Sequence, residues 1–253
     1  MSSEPDIKIE IRDLTMAYGS FVVMRDINAK IKRGEIFIIM GGSGCGKSTL
    51  LRHMIGLKKP AQGDIYYDGV PFWGSTDEVR QQRLRSFGVL FQSGALWSSM
   101  TLAENIGLVL GEYTKLTPSE IMDIAHLKLA LVGLKGFEDY YPAEISGGMS
   151  KRAGLARALA LDPEILFFDE PSAGLDPISS RNLDELILQL RDSLGATFVV
   201  VTHELASIFT IADNSVFLDA NTRTMRAQGN PRELLKTSTD PAVLEFLTRG
   251  EPS

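Results

Sequence analysis

The segment GGSGCGKST at 41–49 constrains this chain more than any other. It fits the pattern G-x-x-x-x-G-K-[ST], follows the all-apolar run IFIIM at 36–40 and precedes a helical pattern, TLLRHMIGL. Strand, glycine-rich loop and helix in that order form the setting in which a loop wraps a polyphosphate. The backbone must visit positive φ there and bring its N–H groups close to the phosphates. On this reading Gly41, Gly42, Ser43, Gly44, Cys45, Gly46, Lys47, Ser48 and Thr49 make one phosphate-binding segment. Lys47 sets a charge against the β- and γ-phosphates, and the Ser48 hydroxyl ligates Mg2+. Cys45 occupies a variable place in the loop and is given no chemistry of its own.

The run before the loop has counterparts elsewhere. FGVLF (87–91), ILFF (165–168), TFVVV (197–201) and SVFL (215–218) are short and almost wholly apolar, as parallel strands buried on both faces are. IKIEI at 7–11 alternates instead, like a strand with one buried face. Helical patterns follow Lys47 and recur near 181–194 and 204–212, so the chain reads as a layered α/β fold with right-handed crossovers. Residues 93–161 differ, with helix-like segments and no convincing apolar strand. Thr117, Pro118 and Glu120 there spell a capping-box start. The chain therefore divides into an α/β core at 1–92 and 162–230, an inserted helical subdomain at 93–161, and a helical tail at 231–253. The tail segment DPAVLEFL carries apolar residues that need a surface, either its own core or a neighbouring subunit.

Composition narrows the function classes. A net charge of −6 argues against a nucleic-acid partner, which requires a concentrated basic surface. The densest basic cluster, Arg80, Arg83 and Arg85, reads as a solvated helix face. One cysteine cannot close an internal disulfide, which suits a reducing compartment. No signal-peptide pattern is visible at the N-terminus, and the longest aliphatic runs fall far short of the ~20 residues of a membrane-crossing helix. A membrane role would have to be played through a partner.

A phosphate-binding loop that holds Mg2+ needs an acidic strand end, and ILFFDEP supplies one. Asp169 emerges where a carboxylate reaches the metal, and Glu170 is placed to polarise a water for in-line attack on the γ-phosphate. A second anion-facing feature is ISGGMSKRAGLARAL at 145–159. Ser146 is a good N-cap for a helix whose unpaired N–H groups and dipole point outward, though a serine and two glycines before a helix can also be only a loop and a cap.

Taken together, these segments resemble the ATP-binding cassette (ABC) ATPases over essentially the whole chain. SGGM (146–149) is similar to the family signature, SAGLD (172–176) with Asp176 to the D-loop, VVVTHE with His203 to the switch histidine, VLFQ with Gln92 to the Q-loop, and Tyr18 to the aromatic that stacks on adenine. By themselves, an aromatic near the N-terminus and a histidine after a buried strand are as easily core residues. The resemblance implies a P-loop NTPase fold, a RecA-like core with an antiparallel β subdomain and the helical insertion. It assigns Lys47, Glu170 and His203 to catalysis, Ser48, Gln92 and Asp169 to the metal, and ATP and Mg2+ as the bound species. It further implies a head-to-tail dimer in which Ser146, Gly147 and Gly148 of one copy close over ATP held by the other, with Asp176 at the interface.

One departure narrows the resemblance. The signature's usual glutamine is Met149, which lacks an amide to hydrogen-bond a nucleotide. SGGM, FFDEPSAGLDPISS and DPAVLEFL are similar to the ATPase subunits of Mla and Mce-type phospholipid transport systems. That narrower likeness implies a membrane permease, an MCE-domain lipid-binding protein and a small accessory subunit as partners, at the cytoplasmic face of a bacterial inner membrane. A polar-solute importer ATPase, for amino acids for example, is one alternative, and a soluble ABC ATPase outside transport is another.

Overall fold

The computed structural model describes residues 6–248. Its strands are β1 (Ile7–Tyr18), β2 (Phe21–Lys32), β3 (Ile36–Gly41), β4 (Gln62–Tyr67), β5 (Val70–Pro71), β6 (Phe87–Leu90), β7 (Ile165–Asp169), β8 (Thr197–Val201), β9 (Asn214–Asp219) and β10 (Thr224–Gly229). Its helices are α1 (Lys47–Met54), α2 (Asp77–Leu84), α3 (Leu102–Tyr113), α4 (Pro118–Leu131), α5 (Gly147–Ala158), α6 (Pro177–Leu194), α7 (Leu205–Ile211), α8 (Pro231–Thr237) and α9 (Pro241–Thr248). The strands form two sheets. One is antiparallel, in the order β2-β1-β4-β5; the other runs β10-β9-β3-β8-β7-β6 and is parallel except for β10.

Successive side chains of a strand point to opposite faces, and the parallel sheet buries both. Phe37 and Ile39 of β3 join Phe167, Val199 and Val201 in a core shared with Ile9, Met16 and Ile27 of the antiparallel sheet and Leu50 and Leu51 of α1. Ile36, Ile38 and Met40 face the other way, with Phe168, Phe198 and Val200, onto helices α3 to α7. This double burial makes the parallel strands legible as continuous apolar runs. Expectation and structure part at FGVLF: β6 is the sheet's edge strand, it stops at Leu90, and Phe91 is exposed.

The antiparallel sheet leaves a weaker trace. β1 runs well past IKIEI, but its register shifts between Ile11 and Leu14, around Asp13 at φ 48°, and such bulges break a period-two pattern. Lys8 is buried on β1, where it pairs with Asp68 at 2.8 Å and with Glu164, so it ties this sheet to the turn before β7. Arg83, expected on a solvated face, joins the same cluster through Asp68 at 2.7 Å.

Helices α3, α4 and α5 lie between β6 and β7 in the chain, and Leu102, Ile106, Ala125, Leu129, Ala153 and Leu155 bury their inner sides. Capping boxes start two of them, Thr101 with Glu104 and the expected Thr117 with Glu120. Helix α6 begins four residues before the periodic pattern suggested, because Asp176 caps it and Pro177 occupies its first position. The tail lies against its own chain: Val243 and Leu247 of α9 are buried, and the Phe246 ring sits 5.3 Å from that of Phe217. The terminal stretches 1–5 and 249–253, part of the core and tail segments expected above, lie outside the described residues.

Candidate active site

Strand β3 delivers the chain into the phosphate loop at Gly41, where φ is 147° and a Cβ would stand 2.3 Å from the Leu218 carbonyl oxygen. No other residue fits that turn. Gly46, at φ 97°, then opens α1, so the helix N-terminus and its outward N–H groups face the loop. The Lys47 ammonium donates to the Gly41 and Gly42 carbonyls, each at 3.0 Å. That leaves one of its three donors for a phosphate. The Cys45 side chain is buried beside Gly41, where it packs the loop, and burial pushes its thiol pKa up.

Ser48 Oγ donates to Asp169 Oδ1 at 2.8 Å, which brings a hydroxyl from α1 and a carboxylate from the end of β7 to one point. These two oxygens suit Mg2+, which usually takes one or two protein ligands and completes its shell with water and phosphate oxygens. Among the described residues no group of three or more His, Cys, Asp or Glu side chains offers an all-protein cage. The donor set therefore fits a metal that arrives with a phosphate.

Glu170 follows in an uncommon conformation, φ 50°, with its N–H donating to the Val201 carbonyl at 2.9 Å. A non-glycine residue in this region is strained, and the hydrogen bond to the end of β8 holds it there. One carboxylate oxygen, Oε1, lies 2.9 Å from His203 Nδ1. The other, Oε2, is buried with no hydrogen-bond partner among the described residues. A buried acceptor without a donor is costly, and a water is the smallest group that would satisfy it.

Most of these residues border one cleft of about 830 Å³, lined by Tyr18, Phe21, Val23, Gly41, Gly42, Ser43, Gly44, Gly46, Lys47, Ser48, Thr49, Gln92, Glu170, His203 and Phe246; Cys45 and Asp169 are not among its walls, and Asp169 joins the site through Ser48. Tyr18 is half exposed at its rim. Gln92 follows β6, and its backbone carbonyl accepts a hydrogen bond from Lys151 of α5. Arg157, also of α5, reaches the Gly94 carbonyl at 3.1 Å and that of Ala95. Burial lowers the Lys151 pKa against the opposing pull of the Glu170 carboxylate.

The structure does not bring every candidate residue to this cleft. Ser146, Gly148 and Met149 border a separate cavity of about 400 Å³ with Arg152, Ser179 and Asn182, and Gly147 is exposed. Ser146 caps α5 by accepting from the Met149 N–H at 3.3 Å. The Asp176 carboxylate accepts from the N–H groups of Ile178 and Ser179, both at 3.0 Å, and from the Ser179 hydroxyl, so it caps α6, and it is not among the residues that line the cleft. Phe21, Val23 and Phe246 are walls that sequence reasoning missed. The aromatic in VLEFL was a visible signal only in that an apolar tail needs something to cover.

The family model described as "ABC transporter" matches residues 24–173, more than half of the chain. The chain belongs to the ABC transporter family. Among relatives of this ABC chain, the "probable ribonucleotide transport ATP-binding protein mkl" of Mycobacterium tuberculosis is 44% identical over 95% of this chain and 66% of its own length. This chain thus spans just under two thirds of that mycobacterial protein. The "intermembrane phospholipid transport system ATP-binding protein MlaF" of Haemophilus influenzae is 39% identical, over 96% of this ABC chain and 90% of its own. A solved ATP-binding cassette, captured as a dimer in a post-hydrolysis state with ADP and Pi, superposes with a TM-score of 0.78 at 28% identity, covering 88% of this chain and 98% of that one.

Proposed function

We propose that this chain is the ATP-hydrolysing subunit of a phospholipid transporter, working as a head-to-tail dimer beneath a separate membrane permease. The single observation that carries the hydrolytic reading is Glu170, whose strained backbone and unsatisfied buried Oε2 sit beside Lys47, Ser48 and His203 in one cleft.

Lys47 holds the β- and γ-phosphates, with the loop N–H groups and the α1 N-terminus sharing their charge. Tyr18 stacks on the adenine at the cleft rim. Glu170 orients the attacking water through Oε2, and His203, fixed by Oε1, faces the γ-phosphate oxygens. Mg2+ held by Ser48, with Asp169 and the Gln92 amide close by, supplies charge neutralisation to the phosphates when bound. In the dimer, Ser146, Gly147 and Gly148 of one copy cover the γ-phosphate held by the other, with Asp176 nearby. Their distance from the cleft of their own chain supports this arrangement, as does the dimeric relative with ADP and Pi. The helical segment 93–161 then carries the signature, and its Lys151 and Arg157 contacts to the Gln92 loop give nucleotide state a route to it.

The phospholipid assignment draws on the MlaF relative, which this chain matches over 90% of that protein's length. Among the described residues no helix is long and apolar enough to cross a membrane, which leaves the crossing to a permease, with an MCE-domain protein and a small accessory subunit as further partners. A second reading, transport of a polar solute such as a ribonucleotide, is favoured by the name of the mycobacterial relative. Purification of the native complex separates the two. Bound phospholipid, an MCE-domain protein and ATPase activity raised by added phospholipid are expected. A solute-binding protein, with turnover raised by ribonucleotides and not by lipid, would overturn the lipid assignment.

A further inference from the structure

The Lys58 ammonium lies over the Tyr18 ring, 2.7 Å from its centroid, and it is buried with no hydrogen-bond partner among the described residues. Removing an ammonium from water without an acceptor is costly, and the negative face of an aromatic ring is the one compensation on offer here. Tyr18 lines the cleft and Lys58 is not among its lining residues, which points to a cation on the ring face turned away from the nucleotide.

The surroundings hold Lys58 in that place. Its N–H donates to the Arg52 carbonyl at 3.2 Å, and its carbonyl oxygen lies 2.6 Å from His53 Nδ1. His53 is fully buried, and burial depresses its pKa, so the ring is neutral and Nδ1–H is the donor. The Trp73 indole N–H donates to the His53 carbonyl at 3.3 Å and fixes the same turn. Thus α1 carries Lys47 at its phosphate end, and the turn that closes it carries Lys58 under the ring at the opposite edge of the cleft.

The geometry points to Lys58 as a positioning residue for nucleotide binding, a cation that braces Tyr18 from behind and makes its open face a stacking platform for a purine. Two effects follow from the contact. The ring loses freedom before the nucleotide arrives, so less ordering remains to be done on binding. The cation also draws π-electron density toward itself, and the opposite face becomes a better partner for an electron-rich base. The Lys58 ammonium is buried at the Tyr18 ring and does not line the cleft that the phosphate loop borders, so the effect belongs to the base alone.

This inference rests on the proposed stacking role of Tyr18, and the experiment keeps the two apart. Dissociation constants of MgATP and of magnesium tripolyphosphate, which has the phosphates and no base, are measured on the full chain and on Lys58→Met, Lys58→Arg and Tyr18→Ala. Lys58→Met is expected to weaken ATP about three- to ten-fold and to leave tripolyphosphate within two-fold. Lys58→Arg, whose guanidinium also stacks on a ring, is expected to stay within two-fold for both. Tyr18→Ala is expected to weaken ATP at least as much as Lys58→Met. If Tyr18→Ala weakens ATP selectively and Lys58→Met does not, the bracing role is wrong. If Lys58→Met weakens both ligands equally, Lys58 acts through the fold of α1 and the inference fails. If Tyr18→Ala leaves ATP unchanged, the stacking assignment itself has failed.

Discussion

Asp184 of α6 is 5% exposed and accepts from the Ser207 hydroxyl of α7 at 2.8 Å. Burial pushes its pKa from 3.8 up to about 6, and the nearby Glu204 charge adds to the rise. Between those values the native chain keeps a proton that the unfolded chain has lost. Stability therefore falls as pH climbs from about 4 to about 6, and the full penalty persists above that window. At about 1.36 kcal/mol per pH unit, the rise corresponds to at most about 3 kcal/mol carried by ionised Asp184 at neutral pH. Asp184→Asn removes the charge and can still accept from Ser207, while its new N–H groups must find an acceptor, which reduces the gain to about 1–3 kcal/mol. For a chain of this size that is roughly 2–10 °C in Tm. The assay is thermal unfolding of wild type and variant from pH 4 to pH 8, without nucleotide. The expected difference is zero or slightly against the variant at pH 4, moves in its favour up to about pH 6, and is flat beyond. A variant that is less stable at pH 7.5, or whose difference does not change with pH, would refute the argument.

Three further predictions follow from packing. Gly63→Ala forces a Cβ to within 2.4 Å of the Arg12 and Asp13 carbonyl oxygens at φ 76°, and backbone atoms cannot swing aside. A loss of about 2–4 kcal/mol is expected in thermal or urea unfolding, and a Tm within 2 °C of wild type would contradict it. Leu247→Ala empties a site that is 2% exposed, and should cost about 2–4 kcal/mol in the nucleotide-free chain. Unchanged stability with impaired dimerisation would place the tail on a neighbour instead. Met149→Gln changes a side chain at the wall of the second cavity and should leave complex assembly intact, measured by gel filtration with the permease; loss of assembly would give the methionine a packing role.

The sequence made the phosphate loop and the parallel strands readable for physical reasons that act locally. Backbone wrapped round a phosphate demands Gly41, Gly46 and Lys47 within a few residues, and strands buried on both faces must be apolar along their buried length, as β3, β7 up to Phe168 and β8 after Thr197 are. Strands β2, β4 and β10 were not located, because each has a polar face and the β1–β2 ladder is interrupted at Asp13 and near Asp26, both at positive φ. Contacts between distant residues were also invisible. Lys151 with Gln92, Lys58 with Tyr18 and Asp184 with Ser207 join segments far apart in the chain, and no local pattern announces them. Asp176 was legible as a motif residue, and in the single chain its carboxylate caps α6, a local role that the motif did not announce.

The central claim is that Glu170 drives ATP hydrolysis at a cleft completed by a second copy of the chain. Its most direct test is the assembly state and turnover of Glu170→Gln with MgATP, followed by light scattering and phosphate release. The amide keeps the shape and the proximity to His203 but is a far weaker acceptor for the proton of the attacking water, so a drop of at least about 100-fold in turnover is expected. ATP should still bind, and the variant should accumulate as a dimer that ADP does not support. A variant that stays monomeric with saturating ATP, or that releases phosphate at the wild-type rate, would contradict the account.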